Sequence, residues 1–434
     1  MTGPQLRPDV LVVGGGLAGA VAALAARAAG ASVLLVRRAP GATALCGGAI
    51  GVAPDLGALP CDPLLGRRSP LESARRLAAL RPAHPYARLG VGALEEALAF
   101  AGAELSAVLE PPDGRPRFLV HVSGAVSECG LCLRSQAPGD LRRARWLAAV
   151  VGFSGHLGFD PWLAALGASR LSAAGGPAVV AVEAQAFGGP DDGALRPVDL
   201  ARALEAPGAA EALGAAVRRA LPRGASVAIL PPVLGLDPAA RVVERVAGAA
   251  GLPVAEAVSD PPSVPGLRLD AALLARLREA GVEVRQGSLI GGPGLGPGRA
   301  VQVGEAQVTA RAWVLATGRF VSGGLVRDRR LREPLLGLPV LASEVGAAGP
   351  ALAGRPAEAL TSPERRAAQP LLAAGVAVDA EGRPLDEAGR PVHQDLFAAG
   401  ALIGGHEHAA DHTGLGVAIL SGFLAGRRAA GRWA

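Results

Sequence analysis

Asp9-Val10-Leu11-Val12-Val13-Gly14-Gly15-Gly16-Leu17-Ala18-Gly19 decides the fold of this 434-residue chain. An apolar strand stops at a run of glycines. An alanine-rich helix follows over Ala20–Ala29, Gly30 ends it, and Ser32–Val36 reads as a second buried strand. Gly14, Gly16 and Gly19 have the G-x-G-x-x-G spacing of a dinucleotide site, and strand, turn, helix and strand fall within roughly thirty residues, as that motif requires. Each glycine has its own task. Gly14 allows the tight turn, Gly16 lets backbone approach a pyrophosphate, and Gly19 lets helix and strand pack closely. The helix then presents free N–H groups and a partial positive charge to phosphate, which places Gly15, Leu17 and Ala18 in the same cradle.

Half of the residues are hydrophobic but only 3% are aromatic, so the core is built from Ala, Val and Leu. The length suits two or three domains. Neither Lys nor Asn occurs, all 43 basic residues are Arg, and the formal charge is +5. A basic balance attracts anions. The arginines are scattered as pairs such as Arg67-Arg68 and Arg218-Arg219, without interleaved aromatics, which argues against nucleic acid as a partner. The opening residues lack a charged stretch followed by an apolar one and a cleavage site. Leu415–Gly426 is apolar but far shorter than the ~20 residues of a spanning helix. The expectation is a cytoplasmic protein without a transmembrane helix. Four cysteines are present, Cys46, Cys61, Cys129 and Cys132. Cys129-Gly-Leu-Cys132 is a single C-x-x-C, half of what structural zinc or an iron–sulfur cluster takes. Reduced thiols are the simpler reading and a redox dithiol the alternative.

The fold class read from the pattern is α/β, a Rossmann-type domain in two pieces with an inserted α/β cap. Residues 1–60 form its first segment, 61–310 the cap and 311–434 its second segment. Within the cap, Leu71–Leu80 and Val91–Ala101 read as helices, Ala178–Val182 and Ser226–Leu230 as strands. Leu200–Leu221 reads as an interrupted helix, Val258–Pro265 as a proline-rich run and Leu269–Ala280 as the helix after it. Gly291–Gly298 reads as a hairpin tip. The last segment holds Ala312-Trp-Val-Leu-Ala-Thr-Gly318, then Leu396-Phe-Ala-Ala-Gly400, then Gly404-Gly405, and a helix opened by Gly414-Leu-Gly416.

A glycine turn at the start, a Thr317-Gly318 strand end and a glycine-led final helix make the three-part layout of flavoprotein oxidoreductases. The last helix would aim its N–H groups at the flavin N1/O2 edge, where negative charge grows on reduction. The small-residue loop Gly41–Gly51, with Cys46, Gly47 and Gly48, would let backbone lie against a flat ring.

Ala83-His-Pro-Tyr-Ala-Arg-Leu-Gly90, Leu315-Ala-Thr-Gly-Arg-Phe-Val-Ser-Gly-Gly-Leu-Val326, Arg332-Glu-Pro-Leu-Leu-Gly-Leu338 and Leu396–Gly405 narrow this further. Together they resemble the B subunit of the anaerobic glycerol-3-phosphate dehydrogenases. The resemblance runs from about Asp9 to Ala430. It implies a flavin-bearing subunit, with FMN or FAD, paired with a separate catalytic subunit that carries FAD. An iron–sulfur subunit would anchor the complex on the inner face of the membrane. The implied reaction is oxidation of sn-glycerol 3-phosphate to dihydroxyacetone phosphate, with electrons passed to quinone.

One position departs from the general dinucleotide pattern. The second strand usually ends in an acid that accepts from a ribose hydroxyl, and here Arg37 or Arg38 stands there. Three readings stay open: FAD without that contact, a mononucleotide flavin, or NADP with its 2′-phosphate on the arginines. The candidate catalytic residues are His406, His408 and His412, as base for an alcohol proton, and Arg319, as holder of a substrate phosphate. No metal is expected from the three imidazoles. Non-catalytic electron relay and a fumarate-reductase-type activity are the alternatives to dehydrogenation by this chain.

Overall fold

The computed structural model describes residues 4–55, 67–144, 146–154, 156, 158–172, 176–186, 195–289, 294–327, 331–341, 361–364 and 369–431. Cys61 and the first part of the Gly291–Gly298 turn lie outside them.

The opening β-α-β unit is formed. Strand β1 (Val10–Val13) and strand β2 (Val33–Arg37) are buried along their whole length, and helix α1 (Leu17–Ala28) joins them. Strands buried on both faces lose the in–out alternation and read as continuous apolar runs, as these do. Helices α2 (Pro70–Leu80) and α3 (Leu94–Glu104) follow. Ser69 and Glu72 close a capping box at the start of α2, satisfying two backbone donors reciprocally.

The chain then leaves for a second layer. β3 (Arg117–Val120) and β4 (Val126–Cys129) pair as an antiparallel ladder. β5 (Leu147–Phe153), helix α4 (Pro161–Ser172), β6 (Ala178–Ala184), α5 (Pro197–Glu205), α6 (Ala209–Ala220), β7 (Ala225–Leu230), α7 (Val242–Ala250) and β8 (Val254–Glu256) build a four-stranded parallel sheet of order β6-β5-β7-β8. The interruption expected within Leu200–Leu221 falls at Pro207-Gly208, between α5 and α6, with Gly208 taking φ +81°.

The return runs through helix α8 (Val264–Glu279), β9 (Glu283–Gln286), the hairpin β10 (Ala300–Val303) and β11 (Ala306–Thr309), β12 (Ala312–Leu315), β13 (Leu396–Ala398) and helix α9 (Gly414–Gly431). Helix α8 starts earlier than Leu269. The Ser263 hydroxyl accepts from the Gly266 N–H and Pro265 occupies the first turn, so the proline-rich run is a helix start.

β9-β2-β1-β12-β13 form one five-stranded parallel sheet. The strand order reverses between β1 and β12, the position where open α/β sheets leave a crevice at their carboxyl ends. The buried side chains divide elsewhere than at residues 60 and 310. Leu77, Leu94, Leu98 and Leu109 join the core of the central sheet, and so do Leu269, Leu273 and Leu277 of α8. The cores of the second layer draw on residues between Phe118 and Ala257. We propose that the inserted unit runs from Arg117 to Glu256. A strand or helix inside the expected cap can thus belong to the central sheet, as β9 does through its pairing with β2.

Helices α1 and α9 meet through small residues. A Cβ on Gly422 or Gly426 would collide with the backbone carbonyls of Ala18 and Ala22. Gly426→Val therefore overpacks this seam, and a loss of about 1–3 kcal/mol is expected in urea unfolding. A neutral result would show that the helices separate freely.

Candidate functional site

The glycine turn sits at the carboxyl end of β1. Gly14 takes φ +116°, and a Cβ there would fall on the Ala316 carbonyl. Its N–H donates to the Val36 carbonyl at 2.8 Å. A Cβ on Gly19 would strike the Gly14 carbonyl, which is the helix–strand packing expected of it. Gly16 is half-buried; a Cβ on it would meet the Thr43 hydroxyl, and the loop at Gly41 passes beside its backbone. No sequence motif marks Thr43. Its hydroxyl accepts the Leu17 N–H at 2.9 Å, fixing the first turn of α1 from a distant loop. Thr43→Val removes that acceptor. It should cost about 0.5–2 kcal/mol, the range of lost helix caps, and lower flavin retention on desalting; unchanged retention would exclude Thr43 from the cradle.

The second edge of the crevice is the turn after β12. Thr317 and Gly318 are half-buried, Gly318 takes φ +73°, and the buried Thr317 Oγ1 has no hydrogen-bond partner among the described residues. A buried hydroxyl without a partner is costly, and a ligand in the crevice would satisfy it. Arg38 is exposed and donates to the Ser322 carbonyl across this turn.

The third edge is the head of α9. The Gly416 N–H donates to the Gly51 carbonyl at 3.1 Å, so the loop over residues 46–52 is tied to the helix. The Tyr86 hydroxyl donates to the Val52 carbonyl at 2.6 Å and stands where a Cβ on Gly416 would go. The remaining glycines of the sequence-predicted site serve chain packing. Gly47 lies on the Ser259 backbone, Gly48 on the Gln136 amide, Gly400 on Ala18, Gly404 on Gly375 and Gly405 on the Ala83 carbonyl. Gly414 lies near His408. Cys46 is half-buried, and burial pushes its thiol up to about 11, so it is protonated at neutral pH.

The candidate catalytic side chains are brought near one another, but their environments correct their roles. Arg319 is buried. Its guanidinium donates to the carbonyls of Ala401, Leu372, Ile403 and His406, which leaves it to brace the chain after β13 rather than to hold a substrate phosphate. His406 is 1% exposed. Burial first, then the Arg319 charge, holds its imidazole well below the ordinary value, so it is neutral at pH 7. Neither of its ring nitrogens forms a well-shaped hydrogen bond among the described residues. His408 and His412 are exposed, and His412 takes the left-handed φ of +51° while its carbonyl faces Gly51. No cluster of three or more metal-ligating side chains occurs among the described residues.

A buried pair of residues occupies the end of β2. Arg37 lies over Gly15, where its Cβ and Cδ would meet an added methyl. Its Nη2 pairs with Asp270 of α8 at 3.0 Å, both side chains being less than a tenth exposed. Arg37 is therefore not offered to a 2′-phosphate, and the NADP reading loses one of its two arginines.

Residues 9–417 match the family described as FAD binding domain. A protein of Halobacterium salinarum, named as a probable B subunit of anaerobic glycerol-3-phosphate dehydrogenase, is 30% identical over 98% of both chains. The chain belongs to the B-subunit family of the anaerobic glycerol-3-phosphate dehydrogenases. The B subunit from Pectobacterium carotovorum is 28% identical, covering 96% of this chain and 97% of its own. Among solved structures, the 3-ketosteroid delta1-dehydrogenase of Sterolibacterium denitrificans shares 13% identity over 98% of this chain, with a TM-score of 0.42. Like the rest of the FAD binding domain family, this B-subunit protein is a flavoprotein of the oxidoreductase type.

The residues fit a flavin at the glycine turn, whose backbone stands at the carboxyl end of β1, and at Thr317, whose hydroxyl lacks a partner among the described residues. They fit the adenosine half less well, because the Arg37–Asp270 pair stands where an acid would meet a ribose. Among the described residues, no helix of this B-subunit protein is long and apolar enough to cross a membrane.

Proposed function

We propose that this chain is the flavin-bearing subunit of an assembly that oxidises sn-glycerol 3-phosphate to dihydroxyacetone phosphate and passes the electrons to quinone. The observation that carries the reading is the near full-length kinship with the B subunits of two other organisms, joined to the switch point of the parallel sheet between β1 and β12. Its partners in this reading are a catalytic FAD subunit and an iron–sulfur subunit that docks the complex on the inner membrane face. The Arg37–Asp270 pair favours FMN over FAD.

When bound, the flavin supplies the two-electron acceptor. The chain's own part is to hold and tune it. The Gly14–Gly16 backbone and the positive end of α1 receive the phosphate. The Thr317 hydroxyl would be free to donate to a bound flavin, and the positive end of α9 would favour negative charge on it. One observation favours a relay role, with substrate chemistry on the partner: Arg319 is spent on backbone carbonyls and His406 is buried and neutral.

The test is an absorbance spectrum of the purified chain, mass analysis of the released chromophore, and anaerobic addition of glycerol 3-phosphate. A yellow chain whose FMN bleaches only after the catalytic FAD partner is added supports the relay reading. Bleaching of the isolated protein returns substrate oxidation to it. A colourless protein that takes up neither FMN nor FAD ends the proposal. NADPH is expected neither to bind nor to bleach it.

A further inference from the structure

The inserted parallel sheet keeps one edge open. Strand β6 pairs with β5 on one side and with no described strand on the other. The Ala178 N–H donates to the Trp146 carbonyl, and the Ala184 carbonyl accepts the Ser154 N–H, each at 3.1 Å. A residue of a parallel strand turns its N–H and C=O to the same side. The even-numbered residues are therefore tied to β5, and the backbone groups of Val179, Ala181 and Glu183 face away from it. None of these three has a partner on that side among the described residues. Edge strands are commonly blunted by proline, a bulge or several charges. β6 reads Ala-Val-Val-Ala-Val-Glu-Ala, keeps an unbroken register with β5 and carries one charge.

Helix α4 continues this open side. Val179 and Ala181 pack beneath it with Ala164, Ala165 and Ala168, and by alternation Glu183 stands on the same face of the sheet. One flank of α4 is closed, because a Cβ on Gly167 would strike the Gly124 carbonyl of the β3–β4 turn. Trp162, Leu166 and Ser169, at i, i+4 and i+7, line another stripe of the helix. Trp162 is 59% and Leu166 49% exposed.

The two charges of this surface stand at opposite ends. Arg170 is in the last turn of α4, beside the entry to β6, where the Gly176 N–H donates to the Leu171 carbonyl. Glu183 is at the far end of the strand. Both are exposed, and neither forms an ion pair among the described residues.

We propose that this edge binds a second copy of the chain, β6 against β6, antiparallel about a two-fold axis through Ala181. That register sets Ala181 opposite the partner's Ala181 and Val179 opposite the partner's Glu183. It is the register that engages all three outward-facing residues, and each opposed pair exchanges two hydrogen bonds. The two sheets join into one of eight strands. Both α4 helices lie on the same face of it, and their Trp162–Leu166 stripes meet across the axis. Because the strands run oppositely, Arg170 of each copy arrives at the end that carries the partner's Glu183. One rotation thus makes the backbone groups, the charges and the apolar stripe complementary to themselves, the condition for a two-fold interface. The inference is independent of the flavin and substrate reading above.

The test follows the full 434-residue chain by sedimentation velocity over a concentration series. A species of twice the 43.2 kDa chain mass is expected. Ala181→Pro removes an outward N–H where an edge strand tolerates proline, and should give a monomer with an unchanged circular dichroism spectrum. Glu183→Arg should weaken the dimer by about tenfold or more, since it sets like charges together. Adding Arg170→Glu to it should restore the dimer. In Ala181→Cys, mild oxidation should join the two copies at that position, as opposed residues stand about 5.5 Å apart; Val180→Cys should give no such link. A chain that is monomeric across the series overturns the proposal, whether or not an unlike protein occupies the edge. A dimer unmoved by Ala181→Pro and Glu183→Arg overturns it too, because its seam lies elsewhere. A charge swap that restores nothing, with no link through position 181, overturns the register.

Discussion

Asp270→Ala is expected to lower the free energy of unfolding by about 3–5 kcal/mol, the cost of leaving one member of a buried ion pair alone. The carboxylate stands on α8, the guanidinium of Arg37 ends β2, and both are almost wholly shielded from water. Arg37 already has one terminal nitrogen without a partner among the described residues, so it has no substitute for Asp270. The double variant Arg37→Met/Asp270→Leu should regain most of the loss, because apolar residues of similar volume often match a buried pair. Urea unfolding of the single and double variants decides it. A double variant as unstable as the single one would mean that shape, not the uncompensated charge, sets the cost.

Acid should weaken the fold as soon as the pH falls through the ordinary histidine range. His84 is fully buried beside the head of α9. Its Nδ1 accepts the Tyr86 N–H at 3.1 Å, so its Nε2–H donates to the Thr413 hydroxyl at 3.2 Å. Both bonds are made by the neutral ring. Burial pulls its pKa from 6.5 down to about 4, with Asp411 opposing and Arg81 adding to the shift. Above pH 6.5 neither the native nor the unfolded imidazole is charged, and stability is full. Between pH 6.5 and 4 the unfolded chain takes up a proton that the native ring refuses. Stability then falls by at most about 1.4 kcal/mol per pH unit for one histidine, roughly 3 kcal/mol in all. His406 shifts in the same direction and steepens the fall. The slope of unfolding free energy against pH, measured from pH 7 to 5, should flatten in His84→Gln. An equal slope in that variant would remove His84 from the account.

The sequence yields what is local. The strand, the glycine turn and α1 are contiguous, and the positions of Gly14 and Gly19 follow from the backbone geometry that the motif needs. The neighbouring strand ends of the switch point are also legible, since β1, β12 and β13 are each followed by a glycine. The rest depends on partners far away in the chain. Asp270 meets Arg37 across 233 positions, and Thr413 meets His84 across 329. No periodicity reports such pairs. Arg319 looks like a phosphate binder because a free guanidinium is one; only the carbonyls gathered around it show that its donors are taken. The inserted unit we propose is narrower than the expected 61–310 for a related reason. β9 is a short polar strand, and its membership of the central sheet is decided by the edge it pairs with rather than by its own residues.

The contact between α1 and α9 orders events during synthesis. The opening β-α-β unit leaves the ribosome long before the helix that covers it, and until then the flank of α1 carrying Ala18 and Ala22 has no lid. The inserted parallel sheet, whose strands lie closer together along the chain, can fold in the meantime, whereas pairings between distant segments form slowly. A nascent chain halted before Gly414 should therefore bind chaperone through its first helix and remain colourless, gaining pigment only when the last helix emerges.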